Sequence, residues 1–467
     1  TFHAARISGL ENIAKAGPRS VVVVNHLSFL DGCFIAAFLP GRPVFAIDTA
    51  QAQRFRFLSY LIDLFPIDPT NPMATKSMVK AVRDGRQLVI FPEGRITLTG
   101  ALMKIYDGPG TIADKADASL LPVRIDGLQF HKTSRLGAKV RQRWFPVFTM
   151  TILPPRRPYL DPELRGKRRR EALTRVMQDI MTEAAFRQET TGRSLFGALI
   201  DARNTYGKDA AGRPRVIVAD ALRTEATYDR LLLGAVILGR KLAGRTEPGE
   251  HVGVLLPNSV GFAVAFFGLQ AFGRVPAMLN FSAGPGSLLS ACATAQIRTV
   301  LTSRAFIVKG KLEGLVATLQ GCADVLYLED LRQSVGLADK LRGKLASLRP
   351  DGLPGASLPA DAPAVILFTS GSEGTPKGVV LTHRNLLANC TQVAAVVDLN
   401  PSDRVFNALP VFHSFGLTGG TLLPVLMGIR TFFYPSPLHY KLVPELVYAD
   451  QSSVLFGTDS FLTGYAR

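Results

Sequence analysis

The sequence predicts an α/β protein with two domains, and three observations support this prediction. The chain has 467 residues, which is more than one hydrophobic core normally serves. Short apolar runs alternate with stretches of helical periodicity in both halves, as in sheets covered by helices. A basic, proline-containing segment at residues 156–193 separates the halves. We therefore expect an α/β domain over residues 1–155, a connection over 156–193 and a second α/β domain over 194–467.

The apolar runs give the expected strands of each domain. Several runs are continuously apolar, which indicates strands that are covered on both faces. In the first domain we expect strands at residues 21–24, 43–47, 87–91, 120–125 and 147–153. In the second we expect strands at 251–256, 299–302, 324–328 and 364–369, with helices at 228–242 and 261–272 between them.

Composition narrows the possible partners. The formal net charge is +17, from 54 Lys and Arg against 37 Asp and Glu, which indicates an anionic partner such as nucleic acid, an anionic membrane surface or an acidic protein. The basic segment has few interleaved aromatic residues and no nucleic-acid module, so we expect no nucleic acid. The four cysteines are scattered without a Cys-x-x-Cys pair, so we expect reduced thiols and no metal site. No clean membrane span is visible, although an anchoring element could precede Thr1.

His26 and Asp31 are the candidate catalytic pair. They follow the apolar run at 21–24 and stand five residues apart, a spacing that lets a turn bring the two side chains together. Acyl transfer from a thioester to an alcohol needs a base near the hydroxyl, and an aspartate can orient the imidazole that supplies it. An isolated His-x-x-x-x-Asp pattern is weak evidence, because a structural histidine also explains it.

A second polar group follows the strand expected at 87–91. Glu93, Gly94 and Arg95 lie directly after that strand, at the end where α/β proteins form their sites. Arginine can bind a phosphate through two parallel hydrogen bonds, and Lys104 is close in sequence. A surface turn with a salt bridge is the alternative interpretation of this segment.

These motifs resemble those of the glycerolipid acyltransferase family. Asn-His-Leu-Ser-Phe-Leu-Asp at 25–31 resembles its first motif, Phe-Pro-Glu-Gly-Arg at 91–95 its third and Leu-Pro-Val-Arg at 121–124 its last. The resemblance implies acyl transfer to a lysophospholipid, whose glycerol-phosphate region would contact Glu93, Gly94 and Arg95. The arginine follows the glycine directly instead of one place later, and residues 44–49 lack the arginine of the second motif. The head-group preference therefore stays open.

A loop rich in serine, threonine and glycine follows the strand expected at 364–369. Its candidate ATP-binding residues are Thr369, Ser370, Gly371, Ser372, Gly374 and Lys377. Backbone amides and hydroxyls of such a loop can surround phosphate oxygens, and the lysine can neutralise their charge. The loop is not a Walker A motif, because a proline precedes Lys377 and no serine or threonine follows it. It resembles the phosphate loop of acyl-adenylate-forming enzymes, and the segment around His413 resembles the motif that borders their acyl pocket. The resemblance implies ATP, Mg²⁺ and a fatty acid.

The order of the two parts resembles the bifunctional lysophospholipid acyltransferase and acyl-carrier-protein synthetases of Gram-negative bacteria. That resemblance implies activation of a fatty acid onto acyl-carrier protein, then acyl transfer to a 2-acyl lysophospholipid similar to lysophosphatidylethanolamine, at the cytoplasmic face of the inner membrane. The remaining motifs of the adenylating family are expected beyond Arg467, so we expect that half to be incomplete. The alternative is a lysophospholipid acyltransferase whose adenylating portion is a non-catalytic binding module.

Overall fold

The computed structural model describes residues 5–54, 63–67, 72–186, 191–369 and 376–467. It confirms the α/β fold class. By their internal contacts the residues divide into two compact units. The first comprises Thr1–Gln188 with Ala394–Leu399, and the second comprises Glu189–Val393 with Asn400–Arg467. The predicted domain limits at 155 and 194 stay predictions.

The first unit alternates strands and helices along most of its length. Its described strands are Ala5–Ser8 (β1), Ser20–Val24 (β2), Val44–Asp48 (β3), Asp63–Ile67 (β4), Leu88–Ile90 (β5), Ser119–Asp126 (β6) and Phe148–Ile152 (β7). Its described helices are Glu11–Ala16 (α1), Asp31–Phe38 (α2), Thr49–Arg54 (α3), Pro72–Arg83 (α4), Gly108–Ala116 (α5) and Gly166–Phe186 (α6).

These strands form one sheet in the order β1-β7-β6-β2-β5-β3-β4. Neighbouring strands are parallel except for β6 and β7. Successive residues of β2 point to opposite faces, and both faces are covered. Val22 and Val24 pack in a cluster with α1 and α2, whereas Val21 and Val23 pack in a cluster with α4, α5 and α6. The continuous apolar run of β2 is therefore explained by burial on both faces.

Helix α6 lies within the segment that the sequence suggested as a connection. Its side chains Met177, Ile180 and Met181 are buried in the same cluster as Ile112 of α5. Arg169, one of its many basic residues, binds Asp114 of α5 through two hydrogen bonds of 2.9 and 2.6 Å. The basic segment thus contributes a packed helix to the first unit.

The second unit is larger. Its described strands are Val216–Asp220 (β8), Glu225–Thr227 (β9), His251–Val254 (β10), Val275–Met278 (β11), Thr299–Thr302 (β12), Asp324–Tyr327 (β13), Pro363–Thr369 (β14), Lys377–Thr382 (β15), Arg404–Asn407 (β16), Arg430–Phe433 (β17) and Val454–Leu455 (β18). Its described helices are Leu195–Tyr206 (α7), Tyr228–Ala243 (α8), Val260–Ala271 (α9), Pro285–Thr294 (α10), Arg304–Gly310 (α11), Glu313–Gln320 (α12), Leu328–Gln333 (α13), Leu337–Leu348 (α14), His383–Val396 (α15), Leu423–Met427 (α16), Leu442–Asp450 (α17) and Asp459–Tyr465 (α18), with a π-helix at Phe415–Leu422.

Two sheets organise this unit. One has the order β13-β12-β10-β11-β14-β15 and the other the order β18-β16-β17-β8-β9. Both are parallel except at one edge, where β15 runs antiparallel to β14 and β9 runs antiparallel to β8. Helix α9 is buried along nearly its whole length, which explains its uniformly apolar sequence. Across the described ranges, no helix combines the length and apolar character needed to cross a membrane.

Candidate functional site

The structure brings His26 and Asp31 into direct contact. His26 follows the end of β2, and Asp31 is the first residue of α2, so the turn between them folds the two side chains together. Nδ1 of His26 lies 2.9 Å from Oδ2 of Asp31. The same oxygen accepts the backbone N–H groups of Leu27 at 2.6 Å and Ser28 at 2.9 Å. Asp31 therefore holds both the imidazole and the turn that carries it.

The hydrogen bond also determines which ring nitrogen of His26 is available. An ionised carboxylate only accepts hydrogen bonds, so Nδ1 carries the proton and Nε2 is the basic nitrogen. The Asp31 side chain is fully buried, whereas 19% of the His26 side chain is exposed. Phe91 stacks on the imidazole with 4.1 Å between ring centroids. The result is an oriented base that a substrate can reach.

Glu93 is joined to the same turn. Its Oε1 accepts the backbone N–H of His26 at 2.9 Å, and its Oε2 accepts the backbone N–H of Met103 at 3.1 Å. Only 3% of Glu93 is exposed, and this burial raises the pKa of its carboxyl, opposed by the two N–H groups and by the charges of Arg124 and His26. Both oxygens are occupied by backbone groups. These contacts suit a residue that positions the turn, and the predicted contact of Glu93 with the acceptor stays a prediction.

Gly94 and Arg95 differ from Glu93 because both are exposed. Gly94 has a φ of +66°, a left-handed conformation that favours glycine, and its turn separates the buried carboxylate from the exposed guanidinium. Lys104 lies 5.3 Å from the centroid of the Tyr106 ring, and the same ring packs beside Gly94. Arg95 and Lys104 are thus exposed cations beside the turn that Glu93 anchors, a suitable arrangement for binding a phosphate.

Two further polar residues support this edge of the sheet. Asn25 exchanges hydrogen bonds of 2.8 and 2.7 Å with the backbone of Ile125, which ties the end of β2 to β6. Arg124 binds Asp126 through two hydrogen bonds of 3.0 and 2.8 Å. In the sequence, Asn25 and Arg124 are recognisable only as members of motifs. Their supporting roles depend on strand pairing, which the motifs do not reveal.

In the second unit, Thr369 and Lys377 pair across the hairpin of β14 and β15. Ser370, Gly371, Ser372 and Gly374 lie outside the described residues, so their predicted role stays a prediction. Lys377 is exposed, and Thr369 lies at the carboxyl end of β14, where parallel α/β sheets bind ligands. A hydroxyl and an ammonium at this edge fit a phosphate group.

Asn258 positions the segment that leads to His413. Its side-chain amide donates to the carbonyl oxygens of Asn407 at 3.1 Å and Leu409 at 2.8 Å, and its oxygen accepts the N–H of Val411 at 3.1 Å. His413 follows at the surface. Neighbouring atoms remove part of its hydration and lower the pKa of its imidazole. Asn258 was not among the residues predicted from the sequence to be functional, although an asparagine that follows a strand and a proline is a detectable signal.

Comparison with known proteins finds two different families in the two halves of the chain. The family model described as Acyltransferase matches residues 4–126, and the model described as AMP-binding enzyme matches residues 207–464. The sulfoacetate–CoA ligase of Cupriavidus necator is 35% identical over 204 residues, which cover 43% of this chain and 38% of that protein. The long-chain-fatty-acid–AMP ligase of Mycolicibacterium smegmatis is 28% identical over 231 residues, which cover 46% and 33%.

A solved anthranilate CoA ligase in complex with anthranoyl-AMP has a TM-score of 0.49 and 18% identity, and the match covers 58% of this chain and 50% of that one. The chain thus spans about half or less of the length of these relatives. More than half of the chain matches a single family model. The chain therefore belongs to the AMP-binding enzyme family, and an Acyltransferase region stands ahead of its AMP-binding domain.

Proposed function

We propose that the protein transfers a fatty acyl group from acyl-carrier protein to the free hydroxyl of a 2-acyl lysophospholipid, and that its second unit takes part in ATP-dependent activation of the fatty acid. The observation that carries the proposal is the 2.9 Å contact between His26 and Asp31. We further propose that the protein works at the cytoplasmic face of the bacterial inner membrane. The net charge of +17 suits both anionic lipids and an acidic carrier protein.

In the acyl-transfer step, Nε2 of His26 accepts the proton of the lysophospholipid hydroxyl. The hydroxyl oxygen then attacks the thioester carbonyl and forms the new ester bond. The carbon–sulfur bond breaks, and the departing thiolate receives the proton from the imidazolium. Asp31 stabilises that imidazolium because its carboxylate stays hydrogen-bonded to Nδ1 throughout. A thioester is already activated, so this step needs no nucleophile from the protein.

We assign binding of the acceptor to Arg95 and Lys104, the exposed cations beside the turn that Glu93 anchors. The Arg95 guanidinium can donate two parallel hydrogen bonds to one phosphate, and Lys104 adds a second positive charge. Glu93 contributes indirectly, because it holds the backbone at His26 and at Met103. The phosphate would thereby be fixed relative to the base, and orientation of this kind accounts for much of the catalysis in two-substrate reactions.

In the activation step, ATP and Mg²⁺ are the expected reagents, and an acyl adenylate is the expected product. Thr369 and Lys377 are the described residues that fit the phosphates of ATP, and we propose that His413 borders the acyl pocket. Mg²⁺ would neutralise phosphate charge when bound. The chain's own contribution is to orient the phosphates at the carboxyl end of β14 and to offset their charge through Lys377.

Two separate assays test this proposal. One assay supplies carrier protein that is already loaded with a fatty acyl group, together with a 2-acyl lysophosphatidylethanolamine. It measures the diacyl product for the wild-type chain and for His26→Ala. The other supplies fatty acid, ATP, Mg²⁺ and carrier protein, and measures pyrophosphate. We expect acyl transfer that depends on His26. If His26→Ala transfers acyl groups at the wild-type rate, the assignment of the base is wrong. Pyrophosphate release from the second assay tests the adenylating unit independently.

A further inference from the structure

The loop between the 3₁₀ turn Leu128–Phe130 and β7 exposes an unusual group of apolar side chains. In this 132–147 loop, Trp144 is 65% exposed, Phe145 78% and Val147 59%. Isolated exposed apolar residues are normal on soluble proteins, whereas a contiguous group marks a surface that meets another apolar phase. Three such side chains within four positions therefore indicate a docking surface.

The same loop is strongly cationic. Residues 132–147 contain five basic residues and no acidic residue. The basic residues are Lys132, Arg135, Lys139, Arg141 and Arg143. All except Lys139, which is half-buried, are exposed. Whatever meets the aromatic side chains must therefore also carry negative charge.

His131 fixes the shape of the loop. Its Nδ1 accepts the backbone N–H of Thr133 at 3.1 Å, so the neutral ring carries its proton on Nε2. Burial lowers the pKa of His131, opposed by a hydrogen bond to the backbone of Trp144. The backbone N–H of Arg143 also donates to Phe130 at 2.7 Å. The aromatic end of the loop is thereby held against the limb that begins at residue 130.

That limb contacts the turn that carries the catalytic pair. The hydroxyl oxygens of Thr133 and Ser28 lie 2.6 Å apart, and the backbone N–H of Ser28 donates to Asp31. The guanidinium of Arg135 lies 5.8 Å from the centroid of the Phe29 ring. The exposed aromatic residues of the loop are therefore linked to the turn that carries His26 through a short series of hydrogen bonds.

We propose that the 132–147 loop docks the acyltransferase unit on an anionic phospholipid bilayer. Trp144 and Phe145 enter the headgroup region, where indole and phenyl rings are favoured at the apolar–water boundary. The lysines and arginines bind the lipid phosphates. Each cation near the surface raises the affinity for the membrane by about fivefold. Because the loop is bonded to the Ser28 turn, docking places His26 at the surface that holds the acceptor. This inference rests on the proposed function only in taking a membrane lipid as the acceptor.

A bilayer explains the surface better than the carrier protein does. An acidic carrier protein would offer negative charge to the cations of the loop. That charge alone would speed association of the two proteins, but it would not explain the exposed aromatic rings. Large rings at adjacent positions, each more than half exposed, need an apolar phase with a polar boundary. A phospholipid surface supplies that phase together with the negative charge.

The test is cosedimentation of the full chain with vesicles of phosphatidylethanolamine and phosphatidylglycerol, compared with vesicles of phosphatidylcholine alone. We expect binding to the anionic vesicles that weakens with salt. Trp144→Ser with Phe145→Ser should reduce that binding by about tenfold or more, and Arg141→Gln with Arg143→Gln should reduce it to a similar extent. Tyr159→Ser, which removes a highly exposed ring outside the loop, is the matched control and should bind as wild type.

Acyl transfer is then measured with the acceptor either embedded in vesicles or dissolved as a short-chain monomer. The loop variants should lose activity only on the embedded acceptor. Wild-type binding of both loop variants to anionic vesicles would overturn the inference. So would equal losses on the embedded and dissolved acceptors, or a loss that appears only as a raised KM for acyl-carrier protein, which would assign the loop to that partner. If no lysophospholipid is acylated at all, the proposed function fails while vesicle binding still decides the docking.

Discussion

The backbone N–H of His26 and the carboxylate of Glu93, which are 67 positions apart in the chain, form a hydrogen bond of 2.9 Å. The bond exists because β2 and β5 are parallel neighbours, so the turns after both strands meet at one edge of the sheet. The Phe91 ring, from the segment that carries Glu93, also stacks on the imidazole. The two acyltransferase motifs are therefore parts of one hydrogen-bonded unit.

Glu93→Gln should lower kcat for acyl transfer while the KM for the acceptor changes little. A glutamine presents one oxygen and one NH₂ group, so either the His26 or the Met103 N–H would face a donor. Leaving a buried donor unsatisfied costs about 1–3 kcal/mol, which corresponds to roughly a tenfold to hundredfold loss if it displaces the base. Steady-state kinetics with varied acceptor are the measurement, and Glu11→Gln on the exposed start of α1 is the control. A raised acceptor KM at unchanged kcat would instead show direct contact with the lipid.

His26→Ala should reduce acyl transfer by about 10²–10⁴-fold, the usual contribution of a general base, without loss of folding. Asp31→Asn should do less harm. An amide oxygen in the position of Oδ2 still accepts hydrogen bonds from His26, Leu27 and Ser28, but it no longer stabilises the imidazolium by charge. Circular dichroism reports folding and product formation reports rate. A His26→Ala variant that keeps more than about a tenth of the wild-type rate would remove His26 from the reaction.

Much of the fold was predictable from the sequence because its central strands are covered on both faces. Strands β2 and β5 appear as continuous apolar runs, and β6 contains the apolar run Leu-Leu-Pro-Val. Strand β1, at one edge of the first sheet, has no such run, since three of its four residues are exposed. The helical character of α6 was predictable, because Leu173, Met177 and Ile180 follow helical spacing. Its many basic residues suggested a connection, whereas the helix packs on the first unit.

The contacts within one turn of the site were predictable from the sequence, whereas the contacts between neighbouring strands were not. The spacing of His26 and Asp31 correctly predicted their contact, because both lie in one turn. The hydrogen bonds of Glu93 could not be predicted in the same way. Its motif places a carboxylate at the end of a strand, and only the pairing of β2 with β5 aims that carboxylate at the N–H of His26. Arg95, two residues beyond Glu93, is exposed, and its predicted contact with the acceptor phosphate stays a prediction.

Arg95→Lys should raise the KM for the lysophospholipid and leave kcat close to wild type. Lysine keeps the charge but offers a point donor in place of two parallel N–H groups, so ground-state binding of the phosphate weakens by about 1–2 kcal/mol, or roughly tenfold. Acceptor titration at saturating acyl donor is the measurement, and Arg19→Lys, also exposed in the first unit, is the control. An unchanged acceptor KM with a loss confined to the acyl donor would place Arg95 at the donor side.

In the second unit, His383 should make stability depend on pH. Its side chain is buried at the start of α15, Nδ1 accepts the backbone N–H of Leu195 at 3.2 Å, and burial lowers the pKa of the ring from 6.5 to about 4. Between those two values the unfolded chain binds more protons than the folded chain. The contribution of the neutral ring is therefore fully present above pH 6.5 and is lost as the pH falls toward 4. The whole window corresponds to at most about 3 kcal/mol.

His383→Asn keeps an acceptor for the Leu195 N–H and removes the titration, so its free energy of unfolding should fall less steeply with decreasing pH than that of the wild type. The unfolding free energy of the second unit, measured in denaturant across pH 6.5 to 4, gives the comparison. His251→Asn, at the partly exposed start of β10, is the control for loss of an imidazole elsewhere in the same unit. Parallel pH profiles for His383→Asn and the wild type would show that His383 is protonated in the folded state without penalty, and that its burial does not determine the acid sensitivity of this unit.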